Sequence, residues 1–370
     1  MNILYILWSR TTGIYLRSRK WGLVCTAFCL VMLFCSACNS TTGTDASATP
    51  TPERVNGFGT KSNHTHSLLV FPNGTLLVAT HYGIFRSADS GKTWKIVAAG
   101  PNQLMQGLMS YSLVVSPLNP QRLYVVGSAA VANPQGTPGL YTSVDQGQTW
   151  KLASGLTQLG NIYLAAPGND NPDEVFVYLN TLGALGLKVS MDGGEHFSTP
   201  GTLPFGSLAS LLAVPGTPGL LLASGTGGIA RSTDGGAHWQ LLKGIDGPVM
   251  GGMTTAGPGS PIYASGDAGI YASKDAGQTF TLVNSQASYN ELTSPRSQPQ
   301  VVYGKTATRV YRSVDGGHTW NPLPPIRINM QNLAVDPTNA SQLYLTLNYP
   351  TEVYRYSQES GSWSSLTPRP

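Results

Sequence analysis

The chain has 370 residues, of which 11% are charged, and it contains 43 glycines and 26 prolines. This composition excludes coiled coils and helical bundles, which need many charged helix formers, and a hydrophobic content of 41% argues against disorder. The formal charge of +4 comes from the first 37 residues, which carry four basic residues and no acidic ones. The rest of the chain is neutral, so its charge does not support a nucleic-acid partner.

Residues 1–38 have the layout of a secretory leader. A basic run at residues 17–20 precedes an apolar stretch at residues 21–33, and two small residues then stand before Cys38. This ending resembles a bacterial lipoprotein box, in which the cysteine thiol receives a diacylglycerol. Lipidation of Cys38, an uncleaved signal anchor and simple secretion all remain open. Each of them predicts that the C-terminal part of the chain lies outside the cytoplasm, and the first two predict that it is held at the cell membrane.

Residues 39–61 are rich in Thr, Ser, Ala, Pro and Gly and predict a flexible tether. All four cysteines lie at or before Cys38, so residues 62–370 contain neither a disulfide nor a thiolate metal site. The stability of this third segment must therefore come from an apolar core.

One eight-residue motif, Ser-x-Asp-x-Gly-x-Thr/His-Trp/Phe, occurs six times in residues 62–370. Its acids are Asp89, Asp145, Asp192, Asp234, Asp275 and Asp315. A seventh, shortened copy ends at Trp363 and has Glu359 in place of the aspartate. Successive acids are 40 to 56 residues apart, which suits a four-stranded propeller blade.

These repeats resemble the Asp-box, or bacterial neuraminidase, repeat of sialidases, sortilin-type receptors and photosystem II assembly propellers. The repeat count and the resemblance together predict an all-β fold, a single seven-bladed β-propeller over residues 62–370. In the first unit we predict strands at residues 67–71, 75–80, 83–87 and 93–98, which are called A to D. Six further units are predicted to begin near residues 111, 161, 208, 249, 290 and 331. How the ring closes stays open, because a strand borrowed from the N-terminus is compatible with the pattern.

The acids of the boxes are predicted to serve the scaffold. An aspartate in a tight hairpin can accept hydrogen bonds from nearby backbone N–H groups, and the glycine two positions later can adopt a positive φ. The closing Trp or Phe is expected to bury its ring beside the next blade. The acidic stretch at residues 169–174 is likewise interpreted as a turn between strands A and B rather than a calcium site.

Strands alternate in direction, so the loops before strand A and after strand B lie at the end of the ring opposite the boxes. This argument selects His64, His66 and His81, which are predicted to converge on one blade. Neutral imidazoles could bind Zn²⁺ or Cu²⁺ there, or they could make hydrogen bonds within the blade.

A second set of candidate ligand-binding residues falls at the same end of units five to seven. It is unusual because the chain has so few charges, and it forms a candidate recognition surface. Its members are Asp267, Glu291, Lys305, Arg309, Arg327, Tyr349 and Glu352.

A sialidase-like active site would need an arginine triad, a tyrosine nucleophile with a glutamate partner, and an acid. Only two arginines, Arg309 and Arg327, are well placed, because four others repeat beside the boxes: Arg86, Arg231, Arg312 and Arg355. Motifs for nucleotide cofactors, the serine nucleophile elbow and HExxH zinc sites are missing. The sequence therefore predicts no catalytic residues and no cofactor.

The resulting prediction is a monomeric, membrane-tethered propeller that binds a protein, peptide or glycan at one end of its channel without catalysis. Two alternatives stay open. One is a sialidase-like glycoside hydrolase that uses Asp267, Glu291 or Glu352 with Tyr349. The other is a metal-binding module or one that assembles a membrane complex.

Overall fold

A computed structural model describes residue 60 and residues 62–179, 186–326 and 329–367. The leader with Cys38, most of the predicted tether and Arg327 lie outside the described residues. The described residues form seven antiparallel sheets, named sheets 1 to 7 in chain order.

Sheets 1 to 3 cover the first half of the ring. Sheet 1 contains β1 (Thr65–Val70), β2 (Leu76–Thr80), β3 (Gly83–Ser87) and β4 (Lys95–Ala98). Sheet 2 contains β5 (Leu108–Val115), β6 (Leu123–Ala129), β7 (Gly139–Ser143) and β8 (Lys151–Gly155), and it is followed by the four-residue helix α1 (Leu156–Leu159). Sheet 3 contains β9 (Ile162–Pro167), β10 (Val175–Leu179) and β11 (Leu187–Ser190), and a single bridge between Val189 and Ser198 stands where the other sheets have a fourth strand.

Sheets 4 to 7 complete the ring with four strands each. Sheet 4 contains β12 (Leu208–Ala213), β13 (Leu221–Gly225), β14 (Gly228–Ser232) and β15 (Gln240–Leu241). Sheet 5 contains β16 (Met253–Thr255), β17 (Ile262–Gly266), β18 (Gly269–Ser273) and β19 (Thr281–Asn284). Sheet 6 contains β20 (Glu291–Thr293), β21 (Val302–Lys305), β22 (Val310–Ser313) and β23 (Asn321–Pro322). Sheet 7 contains β24 (Met330–Val335), β25 (Gln342–Leu347), β26 (Glu352–Ser357) and β27 (Ser362–Ser365).

The sheets form a closed ring around their first strands. The first strand of each sheet contacts the first strand of the next sheet, and that of sheet 7 contacts that of sheet 1. Around the ring the order is β1, β5, β9, β12, β16, β20, β24 and back to β1. The predicted all-β, seven-bladed propeller is therefore confirmed. Among the described residues, no helix has the length and apolar character needed to cross a membrane.

Among the described strands the ring closes without an exchange, because sheets 1 and 7 are each built from consecutive strands. At their seam the Thr65 hydroxyl donates a hydrogen bond to the Leu347 carbonyl (3.2 Å), and the Trp94 indole N–H donates one to the Leu366 carbonyl (3.0 Å). An apolar cluster that includes Leu68 and Tyr344 fills the space between the two sheets.

The core lies between neighbouring sheets. Second strands such as β2, β10, β13 and β17 are buried along their whole length, since they have the first and third strands on either side and a neighbouring sheet against each face. This position explains their continuous apolar runs, such as the Val-Phe-Val-Tyr-Leu of β10.

Each of the six full boxes forms the same hydrogen-bonded hairpin, illustrated by the first. The Ser87 hydroxyl and the Thr93 backbone N–H donate hydrogen bonds to Asp89 Oδ1 (2.8 and 2.9 Å), and the Thr93 hydroxyl donates one to Oδ2 (2.6 Å). These bonds, above all those from Thr93, lower the pKa of Asp89 to about 2. Gly91 has a φ of 87°, which a residue with a side chain rarely adopts. The box acids therefore serve as hydrogen-bond acceptors of the scaffold.

The closing aromatic rings pack against the preceding sheet and not against the next one, which corrects the prediction. Trp150 of sheet 2 belongs to the same apolar cluster as Leu77 and Ile84 of sheet 1. Phe280 of sheet 5 clusters with Leu222 of sheet 4 in the same way. The boxes connect the two outer strands, and the twist of a sheet carries its outer strands over one neighbour only.

We expect Asp145→Ala to lower the free energy of unfolding by about 1–3 kcal/mol, because several hydrogen-bond donors lose their acceptor. Asp145 accepts bonds from Ser143, Gln148 and Thr149. Urea unfolding measures the change. Glu359→Ala is the matched control, since Glu359 occupies the same position in the worn seventh copy and is exposed there. An equal loss in both variants would contradict the scaffold role.

Candidate functional site

The described candidate residues all lie at one end of the ring, which we call the mouth. It is the end where first strands begin and second strands finish, as the pairs Thr65↔Thr80, Glu291↔Lys305 and Met330↔Leu347 show. The turns between second and third strands lie at this same end. The boxes connect third and fourth strands and lie at the opposite end.

His64, His66 and His81 form a compact cluster at the edge of sheet 1. The ring centroid of His64 lies 4.5 Å from that of His66 and 4.8 Å from that of His81. One ring nitrogen from each residue lies within 4.8 Å of those of the other two. The backbone holds this arrangement, because the His81 N–H donates a hydrogen bond to the His64 carbonyl (2.9 Å). The predicted convergence of the three imidazoles on one blade is what the structure shows.

The electrostatics of this cluster favour neutral imidazoles. Burial, together with the charge of His81, lowers the pKa of His64 to about 4. Burial and the two other histidines lower the pKa of His66 to about 3, and burial also lowers the pKa of His81. All three rings therefore have a lone pair at neutral pH.

Glu291 and Lys305 form the second feature of the mouth, an ion pair at the end of sheet 6. Glu291 Oε2 lies 3.6 Å from Lys305 Nζ and accepts a hydrogen bond from the Leu333 backbone N–H (3.1 Å). The lysine side chain is almost fully buried and that of the glutamate is 33% exposed. Burial raises the pKa of Glu291 to about 7, although Lys305 and the hydrogen bond from Leu333 oppose this rise. The mouth therefore contains a carboxyl group whose pKa lies above that of an ordinary glutamate.

The start of strand β24 connects the two features. The Asn332 side chain donates a hydrogen bond to the His66 carbonyl (3.2 Å), and the next residue, Leu333, is the donor to Glu291. Thr346 fixes Asn332 by accepting a hydrogen bond from its backbone N–H (3.1 Å) and donating one to its side-chain oxygen (3.2 Å). The histidines of sheet 1 and the ion pair of sheet 6 are therefore held by neighbouring residues of sheet 7.

The other candidates surround this centre without joining it. Glu352, the first residue of β26, accepts a hydrogen bond from the Tyr354 hydroxyl (2.6 Å). Asp267 and Arg309 lie in the turns of sheets 5 and 6. Among the described residues, neither of these two forms an ion pair. Tyr349 is 52% exposed, and its ring centroid lies 4.8 Å from that of His64.

Three further tyrosines line the mouth, and the sequence analysis missed them. Tyr82 follows His81 and stacks edge-on against it at 4.8 Å, and the Tyr111 ring lies 6.3 Å from that of His66. Tyr163, the second residue of β9, is 38% exposed. Tyr82 follows a second strand and Tyr163 stands at the beginning of a first strand, which are the positions that selected the histidines, whereas Tyr111 is the fourth residue of β5. Applying that criterion to aromatic residues would have found Tyr82 and Tyr163.

Two cavities of about 340 and 330 Å³ lie away from the mouth. The first is at the box end beside Asp275 and Asp315, whose oxygens already accept hydrogen bonds within their own boxes. The second lies among the turns between first and second strands and includes Arg296. Neither cavity holds a carboxyl group with a raised pKa, so the mouth remains the candidate site.

Comparison with known proteins confirms the Asp-box resemblance. The family model described as BNR/Asp-box repeat matches residues 141–152, which include the box of sheet 2. A xyloglucanase from Paenibacillus sp. is 27% identical over 209 residues, covering 51% of this chain and 20% of that protein. The chain thus spans about a fifth of the length of this relative.

Two kinds of solved structure share the fold. The GH74 xyloglucanase from Xanthomonas campestris has a TM-score of 0.64 at 18% identity, covering 85% of this chain and 55% of that one. YCF48 from Cyanidioschyzon merolae has a TM-score of 0.58 at 14% identity, covering 81% of this chain and 97% of that one. Another structure shows YCF48 bound to D1 peptide, so a propeller of this fold binds a peptide.

The predicted function, ligand binding without catalysis, is wrong. The curated relative and the Xanthomonas structure both carry the name of an enzyme, a xyloglucanase. The prediction depended on the missing arginine triad, which sialidases need to bind a substrate carboxylate. Glycoside hydrolysis in general needs only a pair of carboxyl groups in suitable protonation states.

Proposed function

We propose that this Asp-box propeller is a glycoside hydrolase that cleaves a β-glucan of the xyloglucan type at its mouth. The observation that carries the proposal is Glu291, a solvent-accessible carboxyl group whose pKa is raised to about 7. A general acid must be protonated at working pH and must reach the glycosidic oxygen, and such a pKa meets the first condition. The likeness to xyloglucanases supports the choice of substrate class.

The contacts of Glu291 determine which oxygen gives the proton. The Leu333 N–H and Lys305 Nζ both approach Oε2. Negative charge is stabilised on that oxygen, so Oε1 is the atom that carries the proton. In the proposed reaction Oε1 protonates the leaving glycosidic oxygen while the bond from that oxygen to the anomeric carbon breaks.

Glu352 is the carboxylate that we assign as the partner of Glu291. It begins β26 in sheet 7, the sheet whose Leu333 contacts Glu291, and the Tyr354 hydroxyl fixes its orientation. In the reaction Glu352 accepts a proton from the water that attacks the anomeric carbon. Glu291 ends ionised and Glu352 ends protonated, and exchange of one proton with solvent restores both groups.

The exposed tyrosines of the mouth supply a binding surface for the glucan. Sugar rings present C–H faces that pack on aromatic rings, and the side chains of Tyr82, Tyr163 and Tyr349 are all more than a third exposed. They lie on sheets 1, 3 and 7, so a chain of several sugar units can contact more than one of them.

A substrate panel tests the proposal. The full chain is incubated with xyloglucan, a mixed-linkage β-glucan, cello-oligosaccharides and a sialoside, and products are measured as new reducing ends and sized by chromatography. We expect oligosaccharides from xyloglucan or a related β-glucan and none from the sialoside. Failure to cleave any β-glucan at high enzyme concentration would overturn the proposed activity.

Tyr349→Ala is expected to weaken binding of xyloglucan oligosaccharides by about 5- to 30-fold, since loss of one aromatic contact costs roughly 1–2 kcal/mol. Calorimetric titration with an oligosaccharide measures the change. The matched control is Val144→Ala, because Val144 is also exposed but lies in the box of sheet 2 at the opposite end. Equal affinities of wild type and Tyr349→Ala would show that the sugar does not occupy this part of the mouth.

A further inference from the structure

Each of the three histidines of the mouth has a buried ring nitrogen that makes no hydrogen bond with the described residues. Nδ1 of His64, Nε2 of His66 and Nδ1 of His81 are all buried, and none has a hydrogen-bond partner among the described residues. An unpaired polar atom removed from water costs about 1–3 kcal/mol. Three such atoms in one cluster indicate a ligand that accepts several lone pairs at once.

The chemistry of the cluster selects the class of ligand. Its donors are three imidazole nitrogens, and the cluster identified among the described residues contains neither a carboxylate nor a thiolate. Ca²⁺ and Mg²⁺ prefer oxygen ligands, whereas imidazole suits Zn²⁺, Cu²⁺ and related ions. A metal ion binds the neutral imidazole through the ring nitrogen that carries the lone pair.

We propose that His64, His66 and His81 form a three-histidine site for a divalent transition-metal ion, with Zn²⁺ as the reference ion. Zn–N distances of about 2.1 Å place tetrahedral ligand atoms about 3.4 Å apart. The present separations of up to 4.8 Å therefore need only small rotations of the imidazole rings. The fourth position is left for water or an exogenous ligand at the mouth, as in zinc sites that have three protein ligands.

The surroundings of the site support a preorganised centre. The backbone hydrogen bond between His81 and His64 fixes the two segments relative to each other, and the Asn332 side chain holds the His66 carbonyl. The rings of Tyr82, Tyr111 and Tyr349 pack around the imidazoles, with centroids 4.8 to 6.3 Å away. The site does not depend on the proposed hydrolysis, because it involves neither Glu291 nor Glu352.

Metal titration of the full chain tests the site directly. The protein is purified without a histidine tag, freed of metal with a chelator and titrated with Zn²⁺ at pH 7 by calorimetry. We expect one tightly bound ion per chain. His66→Ala and His81→Ala should each weaken binding by at least about 100-fold, because loss of even an outer hydrogen-bond partner costs about 10- to 100-fold. Co²⁺ in place of Zn²⁺ should give the visible absorption of a four-coordinate ion.

The control variant is His238→Ala, which removes an exposed histidine that pairs with Asp234 in the box of sheet 4. It should bind Zn²⁺ as the wild type does. Circular dichroism checks that each variant is folded, and His81→Gln serves if an alanine variant is not. The proposal is overturned if the wild type takes up no Zn²⁺ at about 100 μM free metal, a concentration that would mostly fill any site with a Kd of about 10 μM or tighter, or if the folded variants bind it equally well.

Discussion

Glu291→Gln is expected to lower kcat on xyloglucan by about 10²- to 10⁴-fold, the contribution that general acid catalysis typically makes. Glutamine has nearly the same shape and can still accept the hydrogen bond from Leu333, but it cannot deliver a proton. Substrate binding by the tyrosines should persist, so KM should change little. Initial rates and an oligosaccharide titration measure the two effects separately.

Three further variants make this result specific. Glu195→Gln removes an acid of similar size from the box end, where it pairs with Lys151 on the surface (2.8 Å), and should leave kcat unchanged. Glu352→Gln should cause a loss comparable to that of Glu291→Gln, whereas Asp267→Asn should not. A Glu291→Gln variant that retains full kcat would show that another group donates the proton.

The stability of the protein provides a readout of Glu291 that does not involve activity. Its pKa is near 4.5 in the unfolded chain and about 7 in the folded one, so the folded state binds more protons between these values. The contribution of Glu291 to the free energy of unfolding should therefore fall as pH rises from about 4.5 to 7, whereas the three histidines of the mouth, whose pKa values are lowered, contribute in the opposite direction. The side chain is one-third exposed, and allowing for this the change is about 1–2 kcal/mol. Glu291→Gln should remove this contribution alone, so the difference between the pH dependences of wild type and variant identifies the titrating group.

The fold was predictable because its signal is periodic. Boxes 40 to 56 residues apart determine the number of sheets, and the predicted strand at residues 83–87 coincides with β3. Sheet 2 begins at Leu108, three residues before the predicted start near residue 111. The alternation of apolar and polar residues does not by itself locate the end of a long strand. The direction of the aromatic packing was predicted wrongly, because a linear repeat does not say which of two neighbours the outer strands cover.

The sequence predicted at which end of the ring the candidate site lies, but apart from the histidines it did not predict which of the side chains there contact one another. Position within the repeat placed the histidines together, since two of them flank β1 and β2 in one hairpin. The Glu291–Lys305 pair was not predicted as a pair, because it depends on a register that the short strand β20 does not reveal in sequence. The hydrogen bond from the Leu333 N–H to Glu291 joins sheet 7 to sheet 6, and no sequence pattern indicates it.

Lys305→Met is expected to move the alkaline limb of the pH dependence of kcat/KM upward by about one unit. The positive charge of Lys305 favours the ionised form of Glu291 and so lowers its pKa from the value that burial alone would produce. Without that charge Glu291 stays protonated to higher pH, and activity that needs the protonated acid persists with it. Methionine preserves most of the buried volume of the lysine stem.

The direction of this shift distinguishes two roles of Lys305. If the lysine bound substrate, its loss would raise KM and leave the pH profile in place. If it tunes Glu291, the profile moves and KM changes little. Lys151→Met provides the comparison, because Lys151 also pairs with a glutamate but is 72% exposed, and solvent screens its charge. If the alkaline limb of a folded Lys305→Met variant does not move, or moves downward, Glu291 is not the group that donates the proton.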